Sequence, residues 1–253
     1  MCTVILLKRS DHPWPVMLAA NRDERLARQW DRPAPWWPDR PGVIAGRDQL
    51  GGGTWMGVNR HGVVAVVLNR RGSLGPAPGK RSRGELPLLA LENGSAQMAA
   101  AAIAALDAGA WRSFNMVVAD VTGAAFHLCG LGEGHPEPMP LADGLHMITS
   151  SDPNDMTRAR VALHLPRFRG APAPDTDDYG AWRALITDRS GTPEEQLHRV
   201  PRDGYGTVCS SVLGLAKQAA PVWLFTAAPD PARFARVALS CQDRADMAIR
   251  RQP

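Results

Sequence analysis

Cysteine is scarce in this chain, and long apolar runs are missing. Four cysteines stand among 253 residues, at Cys2, Cys129, Cys209 and Cys241. None forms a Cys-x-x-Cys pair, so the sequence predicts reduced thiols rather than a disulfide framework or a structural zinc site. The apolar stretches are far shorter than the roughly 20 residues that cross a bilayer, and the N-terminus lacks the pattern of a secretory signal. We therefore expect a cytoplasmic protein without a membrane span.

Concentrated charge is also missing. The formal net charge is +4, with arginines spread along the whole chain rather than gathered on one face. The densest basic stretch, PGKRSRGE, does not match a phosphate-binding loop, because Gly75 and Gly79 stand too close together and no Ser or Thr follows Lys80. The histidines show no paired metal-ligand spacing. The sequence thus predicts neither a nucleic-acid partner nor a metal site.

Strand patterns come first and last in the chain, with helix patterns between them. Residues 3–7 with 16–20 and 54–59 with 63–69 predict two β-hairpins, and the consecutive apolar residues of 63–68 indicate a strand covered on both faces. Further strands are predicted over 114–120, 124–129, 145–150, 207–215 and 221–227. Helices are predicted over 82–93 with Ser82 as N-cap, 95–106, 155–165, 179–188 and 193–199.

The architecture follows from this order of elements. Strands interrupted by helices predict an α+β fold with mostly antiparallel sheets and helices packed outside. Apolar residues make up 44% of the chain and charged residues 21%, as is ordinary for a globular protein, and no linker divides it. We therefore predict one domain over residues 1–253.

The opening MCTVILL places Cys2 directly behind Met1. One interpretation is a small hydrophobic residue at the start of a buried strand. The other is an N-terminal nucleophile, formed when removal of Met1 leaves a thiol and a free α-amine on the same residue. The amine titrates near ~8 and the thiol near ~8.5, so the amine could take the proton of the thiol at little cost.

The stretch AANRDE follows the second predicted strand, and the hairpin would return it to the neighbourhood of Cys2. The carboxylate of Asp23 could then orient the protonated amine, whereas Glu24 is expected to lie in water. Asn69 ends the strand of the second hairpin, where its amide could donate to an oxyanion. In YGTVCSS, Cys209 and Ser211 either line a central sheet or belong to a simple mixed strand.

The proline-rich tract WDRPAPWWPDRPG predicts a loop that carries Trp30, Trp36 and Trp37. Three tryptophans among prolines bury poorly in a loop, so they could line an apolar cleft for a porphyrin or an acyl chain. Plain packing against the core is the alternative.

Several motifs in order, MCT, ANRDE, GRDQLGGGTWMGVNRHG, LNR and SRGEL, resemble the NRDE family, also called the transport and Golgi organisation protein family. The resemblance implies the N-terminal nucleophile hydrolase fold, a four-layer αββα sandwich. Members of that family are tied to haem trafficking and to lipid or acyl-CoA handling. The resemblance thus implies that no cofactor is required and that haem is a possible cargo.

A remoter resemblance is to the choloylglycine hydrolase and penicillin acylase group of cysteine amidohydrolases, whose nucleophile corresponds to Cys2. Their G-R-N-x-D motif keeps its asparagine and aspartate here, as Asn21 and Asp23, while its arginine becomes Ala20. Arg22 could reach in from an adjacent position, but a one-residue shift would turn its side chain to the other face of the strand.

Two further positions of that group fall in this chain. Asn69 corresponds to an oxyanion-binding asparagine, and Ser150 replaces a second one. The loss of one oxyanion donor typically slows catalysis by about a hundredfold to a thousandfold.

Two functions therefore compete. The first is a carrier of haem or another small hydrophobic ligand, with the binding residues Asn21, Arg22, Trp30, Trp36, Trp37 and Ser150. The second is a hydrolase of amides or thioesters, with the catalytic residues Cys2, Asp23 and Asn69. The missing supporting groups favour the carrier.

Overall fold

The computed structural model describes residues 2–174, 179–227 and 233–239. Its strands are β1 (Thr3–Lys8), β2 (Val16–Arg25), β3 (Trp30–Ala34), β4 (Ile44–Asp48), β5 (Met56–Val58), β6 (Val64–Asn69), β7 (Phe114–Ala119), β8 (Ala125–Gly130), β9 (Glu137–Pro140), β10 (Gly144–Ile148), β11 (Tyr205–Leu215), β12 (Val222–Thr226) and β13 (Ala235–Arg236). Its helices are α1 (Glu85–Leu91), α2 (Ala96–Ala104), α3 (Ala159–Gly170) and α4 (Gly180–Ile186).

The strands form two antiparallel sheets. The first has the order β10-β1-β2-β11-β12-β13, and the second has the order β3-β4-β5-β6-β7-β8-β9. In the first sheet, β2 lies between β1 and β11 and pairs with both. The predicted hairpins and the antiparallel pairing are confirmed.

Three apolar layers hold the sheets and helices together. Val4 of the first sheet and Val66 of the second belong to the core between the sheets. Their chain neighbours alternate to the opposite faces: Ile5 packs with α3 and α4, and Ala65 packs with α1 and α2. The layers therefore run helix, sheet, sheet, helix, which confirms the predicted sandwich and the prediction that both faces of residues 63–68 are covered.

Strand β2 is longer than the sequence suggested. It runs to Arg25, so the NRDE residues lie inside the strand and not at its end. The reason is that β11 pairs with β2 along its whole length, from Arg25 with Tyr205 to Val16 with Leu215. On the other side, Thr3 pairs with Asn21, which confirms that the hairpin brings the NRDE residues beside Cys2.

The proline-rich tract begins with a strand, so the prediction of a loop is wrong for residues 30–34, whereas residues 35–42 form turns and irregular chain as predicted. Residues 30–34 form β3 at the edge of the second sheet. Their register with β4 shifts between Asp31 and Ala34, where Pro33 lies. An edge strand with a bulge is where a sheet tolerates proline, because the missing N–H there breaks no ladder.

The helices differ from the predicted ones mainly at their beginnings. Helix α1 has Gly84 as its N-cap, so the predicted cap at Ser82 is wrong, whereas Ser95 caps α2 by accepting from the N–H of Met98 at 3.2 Å. Helix α3 covers 159–170 rather than 155–165. Residues 193–199 form turns, and the carbonyl of Leu197 accepts a hydrogen bond from the Asn21 side chain instead of extending a helix.

Candidate functional site

A narrow cavity lies between the two sheets, where β1, β2 and β11 face β6. Its lining includes Cys2, Arg22, Trp55, Cys209 and Ser211, together with apolar side chains of both sheets. The space inside is about 10 Å³, which is close to the room that one water molecule needs. A ligand larger than water would therefore extend out of this cavity or widen it.

Cys2 brings its thiol to the cavity wall. The residue as a whole is half-buried, and its Sγ lies 3.7 Å from the backbone oxygen of Asp23. Burial raises the pKa of the Cys2 thiol, the charge of Asp23 adds to this increase, and the cation of Arg22 opposes it. The thiol is therefore protonated at neutral pH and needs a base before it can act as a nucleophile.

Asp23 lies on the other face of β2, toward helix α3. Its side chain is fully buried and accepts hydrogen bonds from Thr207 Oγ1 at 2.6 Å and from Arg160 Nη1 at 3.3 Å. The same Arg160 nitrogen donates to Thr3 Oγ1 at 3.0 Å. Asp23 is thus a buried carboxylate paired with a buried cation, one residue away from the strand position that faces the cavity.

Arg22 occupies the cavity side of β2. The expectation that it turns to the other face is wrong, because Arg22 stands two residues from Ala20 and residues two apart in a strand share a face. Its Nη2 donates to Asp48 Oδ2 at 2.9 Å, and its guanidinium lies 4.3 Å from the ring centroid of Trp55. Arg22 therefore stands in the site where the resemblance placed an arginine at the position of Ala20.

Three other predicted residues do not offer a free group to the cavity. The side chain of Asn21 donates to the carbonyls of Ile186 and Leu197 at 2.8 Å and accepts from Ser210 Oγ at 2.6 Å, so it fixes the neighbouring segments. Asn69 and Ser150 do not line the cavity. Asn69 pairs with Phe114, whose ring packs against the helix layer, and its side chain shares that face.

The predicted tryptophans pack elsewhere. Trp30 contacts Trp55 edge to face at 5.7 Å between ring centroids, and Trp36 lies under Arg47 at 4.4 Å. Trp37 Nε1 lies 3.4 Å from the carbonyl of Gly52. None of the three lines the cavity. The three predicted tryptophans therefore do not form the wall of this cavity, and Trp55 is the tryptophan that lines it.

The sequence alone did not identify several residues of the site. Arg160 reaches Asp23 from 137 residues away, and nothing in its local sequence marks it. The register of β11 shifts between Thr207 and Cys209, so that Thr207 faces Asp23 while Cys209 lies beside Arg22. Cys209 and Ser211 line the cavity, which confirms the interpretation that they line a central sheet. Burial raises the pKa of the Cys209 thiol to about 12, so this second thiol stays protonated.

The described residues contain no helix with the length and hydrophobicity of a membrane span. In the same parts of the chain, no cluster of three or more His, Cys, Asp or Glu side chains could hold a metal ion. Cys2, Cys129 and Cys209 are free thiols, and Cys241 lies outside the described residues.

The four layers and the position of Cys2 define the N-terminal nucleophile hydrolase fold, and comparison with solved structures agrees. An N-acylethanolamine-hydrolyzing acid amidase ortholog of Caenorhabditis elegans superposes with a TM-score of 0.58 at 12% identity, covering 87% of this chain and 98% of that one. Two structures of conjugated bile acid hydrolase from Clostridium perfringens are also similar. The mutant C2A gives a TM-score of 0.55 at 12% identity, and the variant R18L gives a TM-score of 0.56 at 11% identity. Both superpositions cover 94% of this chain and 92% of the hydrolase chain.

Residues 1–168 match the model of the family described as Transport and Golgi organisation 2, and the chain belongs to that family. No curated protein sequence matches it.

Proposed function

We propose that this chain is a cysteine-dependent hydrolase of amides or thioesters, with Cys2 as its nucleophile after Met1 is removed. The observation that carries the proposal is the position of the Cys2 thiol, on a cavity wall next to Arg22 and one strand away from Asp23. The amidase named above supports the choice of bond. The small cavity and the absence of Trp30, Trp36 and Trp37 from its wall favour hydrolysis over the carriage of a porphyrin.

The proposed reaction has two steps. The α-amine of Cys2 takes the thiol proton, and Sγ attacks the carbonyl carbon of the substrate. The bond from that carbon to nitrogen or sulfur breaks, and the ammonium returns its proton to the leaving group. Water then attacks the acyl thioester on Cys2, releases the carboxylic acid and restores the thiol. Asp23, one residue beyond the strand partner of Cys2, would favour the ammonium form between these proton transfers.

The test is intact mass spectrometry after exposure to p-nitrophenyl butyrate. The wild type should lack one methionine, and in samples quenched with acid before the acyl group is hydrolysed it should carry one butyryl group, because the ester acylates an activated N-terminal thiol. Cys2→Ala should gain none. Cys129→Ala is the matched control, since Cys129 lies in β8 of the other sheet, and it should be acylated like the wild type. Retention of Met1, or equal acylation of Cys2→Ala, would contradict the proposal.

Carriage of a small hydrophobic ligand, haem included, is the second candidate because Val4, Ala20, Val66 and Leu68 make much of the cavity wall apolar. A cytoplasmic location remains a prediction that accompanies either function. Haem titration of Cys2→Ala, followed by absorbance, separates the two functions. A saturable spectral shift without any acylation of the wild type would favour carriage.

A further inference from the structure

Arg22 stands on the cavity wall, between two residues that carry thiols. Cys209 is its strand partner on β11, and the pairing of Thr3 with Asn21 makes Cys2, directly before β1, its neighbour on the other side. Side chains opposite each other on paired strands have Cβ atoms about 4.5–5.5 Å apart. Cys2 and Arg22 line the same cavity, and the charge of Arg22 acts on the Cys2 thiol by lowering its pKa, so a carbonyl group bound in this cavity lies near both side chains.

The Arg22 guanidinium is fixed before any substrate arrives. Asp48 Oδ2 accepts from Arg22 Nη2 at 2.9 Å, and Trp55 covers one face of the guanidinium. Asp48 is itself held, because its Oδ2 accepts from Arg28 Nε at 2.6 Å and its Oδ1 accepts from the backbone N–H of Gly51 at 2.9 Å. Residues of the ANRDE and GRDQLGGGTW motifs therefore contact each other, and these contacts orient Arg22 on the cavity wall.

One donor of this arginine is unused. Arg22 is only 5% exposed, and its Nη1 is buried without a hydrogen-bond partner among the described residues. Buried donors are almost always bonded, and leaving one unmade costs about 1–3 kcal/mol or more for a charged group. The charges around it balance, with Arg22 and Arg28 against Glu24 and Asp48. The arrangement is therefore better suited to an oxygen that becomes charged during a reaction than to a permanent anion.

We propose that Arg22 Nη1 donates a hydrogen bond to the acyl oxygen of the substrate and stabilises the oxyanion that forms when Cys2 attacks. The inference rests on the proposed hydrolase function and names a catalytic group for it. Asn69, the residue expected to supply this stabilisation, does not line the cavity, and neither does Ser150, which replaces the second oxyanion-binding asparagine. A desolvated and oriented cation needs no reorganisation as the oxyanion develops, so its effect on the rate is large. Asp48 and Trp55 act as positioning residues.

Two reactions of the same thiol test this role. Acylation of Cys2 by p-nitrophenyl butyrate passes through an oxyanion, whereas alkylation by iodoacetamide does not. Because Arg22 also lowers the pKa of the Cys2 thiol, both rates are taken from pH profiles and compared at equal thiolate fraction. On that basis we expect acylation in Arg22→Met to slow by about a hundredfold to a thousandfold, while alkylation changes less than about threefold. Arg25→Met is the matched control, because Arg25 is an exposed arginine on the same strand, and both of its rates should equal those of the wild type.

Arg22→Lys guards against a folding defect in Arg22→Met, and urea unfolding of each variant checks that both are folded. A lysine keeps the charge but lacks the two terminal nitrogens with which the guanidinium can bind Asp48 and the substrate at the same time. Acylation should therefore still fall by at least about tenfold. A parallel fall of acylation and alkylation, with the alkylation midpoint moved to higher pH, would show that Arg22 acts on the thiol and overturn the inference. Undiminished acylation of both folded variants would also overturn it. If the wild type itself is not acylated, the proposed function fails, and the role of Arg22 fails with it.

Discussion

The carboxylate of Asp23 is buried inside the protein, where it forms an ion pair with Arg160. The Asp23 side chain is 0% exposed and that of Arg160 is 8% exposed. Removing one partner of a buried ion pair typically costs about 3–5 kcal/mol, because the other charge stays buried without compensation. We therefore expect Arg160→Met to lower the free energy of unfolding by about that amount, as measured by urea denaturation at pH 7.

Arg158→Met is the matched control for this prediction. Arg158 pairs with Asp155 at 3.1 Å just before the same helix, but 33% of its side chain is exposed. Such exposed pairs contribute about 1 kcal/mol or less. Equal losses from the two variants would show that Arg160 acts through helix α3 and not through Asp23.

The residues of the site differ in how far the sequence could predict them. The group formed by Cys2, Asn21 and Asp23 follows from hairpin pairing, which is a local rule. A buried carboxylate at Asp23 also requires a nearby cation, but the sequence does not indicate which of the many arginines supplies it. Arg160 does so because helix α3 packs against the first sheet, and this packing depends on contacts between distant parts of the chain.

Among the elements, strand β4 determines how Trp55 is placed. Its Gly46 lies against the indole of Trp55, and a Cβ added at Gly46 would come within 2.3 Å of that ring. We expect Gly46→Ala to push the ring aside at a cost of about 1–3 kcal/mol, and to slow acylation because Trp55 supports Arg22. Gly94→Ala is the control, since nothing lies within 4 Å of a Cβ there. Urea unfolding and p-nitrophenolate release measure the two effects. Stability and acylation equal to those of Gly94→Ala would show that the ring has room to move.

The predicted elements were most accurate where an apolar pattern repeats. Strands β1, β6 and β7 follow their patterns closely. Strand was predicted too rarely in polar and proline-containing segments. The second half of β2 and the whole of β3 form strands because neighbouring strands pair with them, and not because their residues have a high β-propensity. A strand that obtains its hydrogen bonds from neighbours distant in sequence leaves no periodic signal of its own.

At the scale of the whole molecule, consecutive apolar residues predicted that sheets are covered on both faces. They did not say how many layers there are or how the sheets stack. The four-layer arrangement came from the family resemblance, because stacking order depends on which faces meet after the chain has folded. The described structure places the candidate site between the two sheets, so its wall is made by strands from both halves of the chain.

The buried histidines give the whole molecule a defined response to acid. Burial lowers the pKa of His127 to about 4, with the nearby cation of Arg70 adding to the effect. Burial likewise lowers the pKa of His198 to about 4, with Arg189 adding to the effect. In the unfolded chain both titrate near ~6.5. Between those values the unfolded state binds more protons than the folded state, so stability falls as the pH drops from about 6.5 to about 4.

Each histidine should account for roughly 2–3 kcal/mol of this loss, at about 1.4 kcal/mol per pKa unit. His127→Gln removes the titration but can keep a donor toward Asn115 Oδ1, which lies 3.1 Å from His127 Nε2 in the native protein. Urea unfolding at several pH values should therefore show a loss about 2–3 kcal/mol smaller than that of the wild type in this variant, because His198 and His164, whose pKa values burial also lowers, still titrate. The control His61→Gln alters an exposed histidine and should show the full loss. A loss confined to pH below about 4 would instead assign the acid response to carboxylates such as Asp143 and Asp155, whose hydrogen bonds hold their pKa values below the usual range.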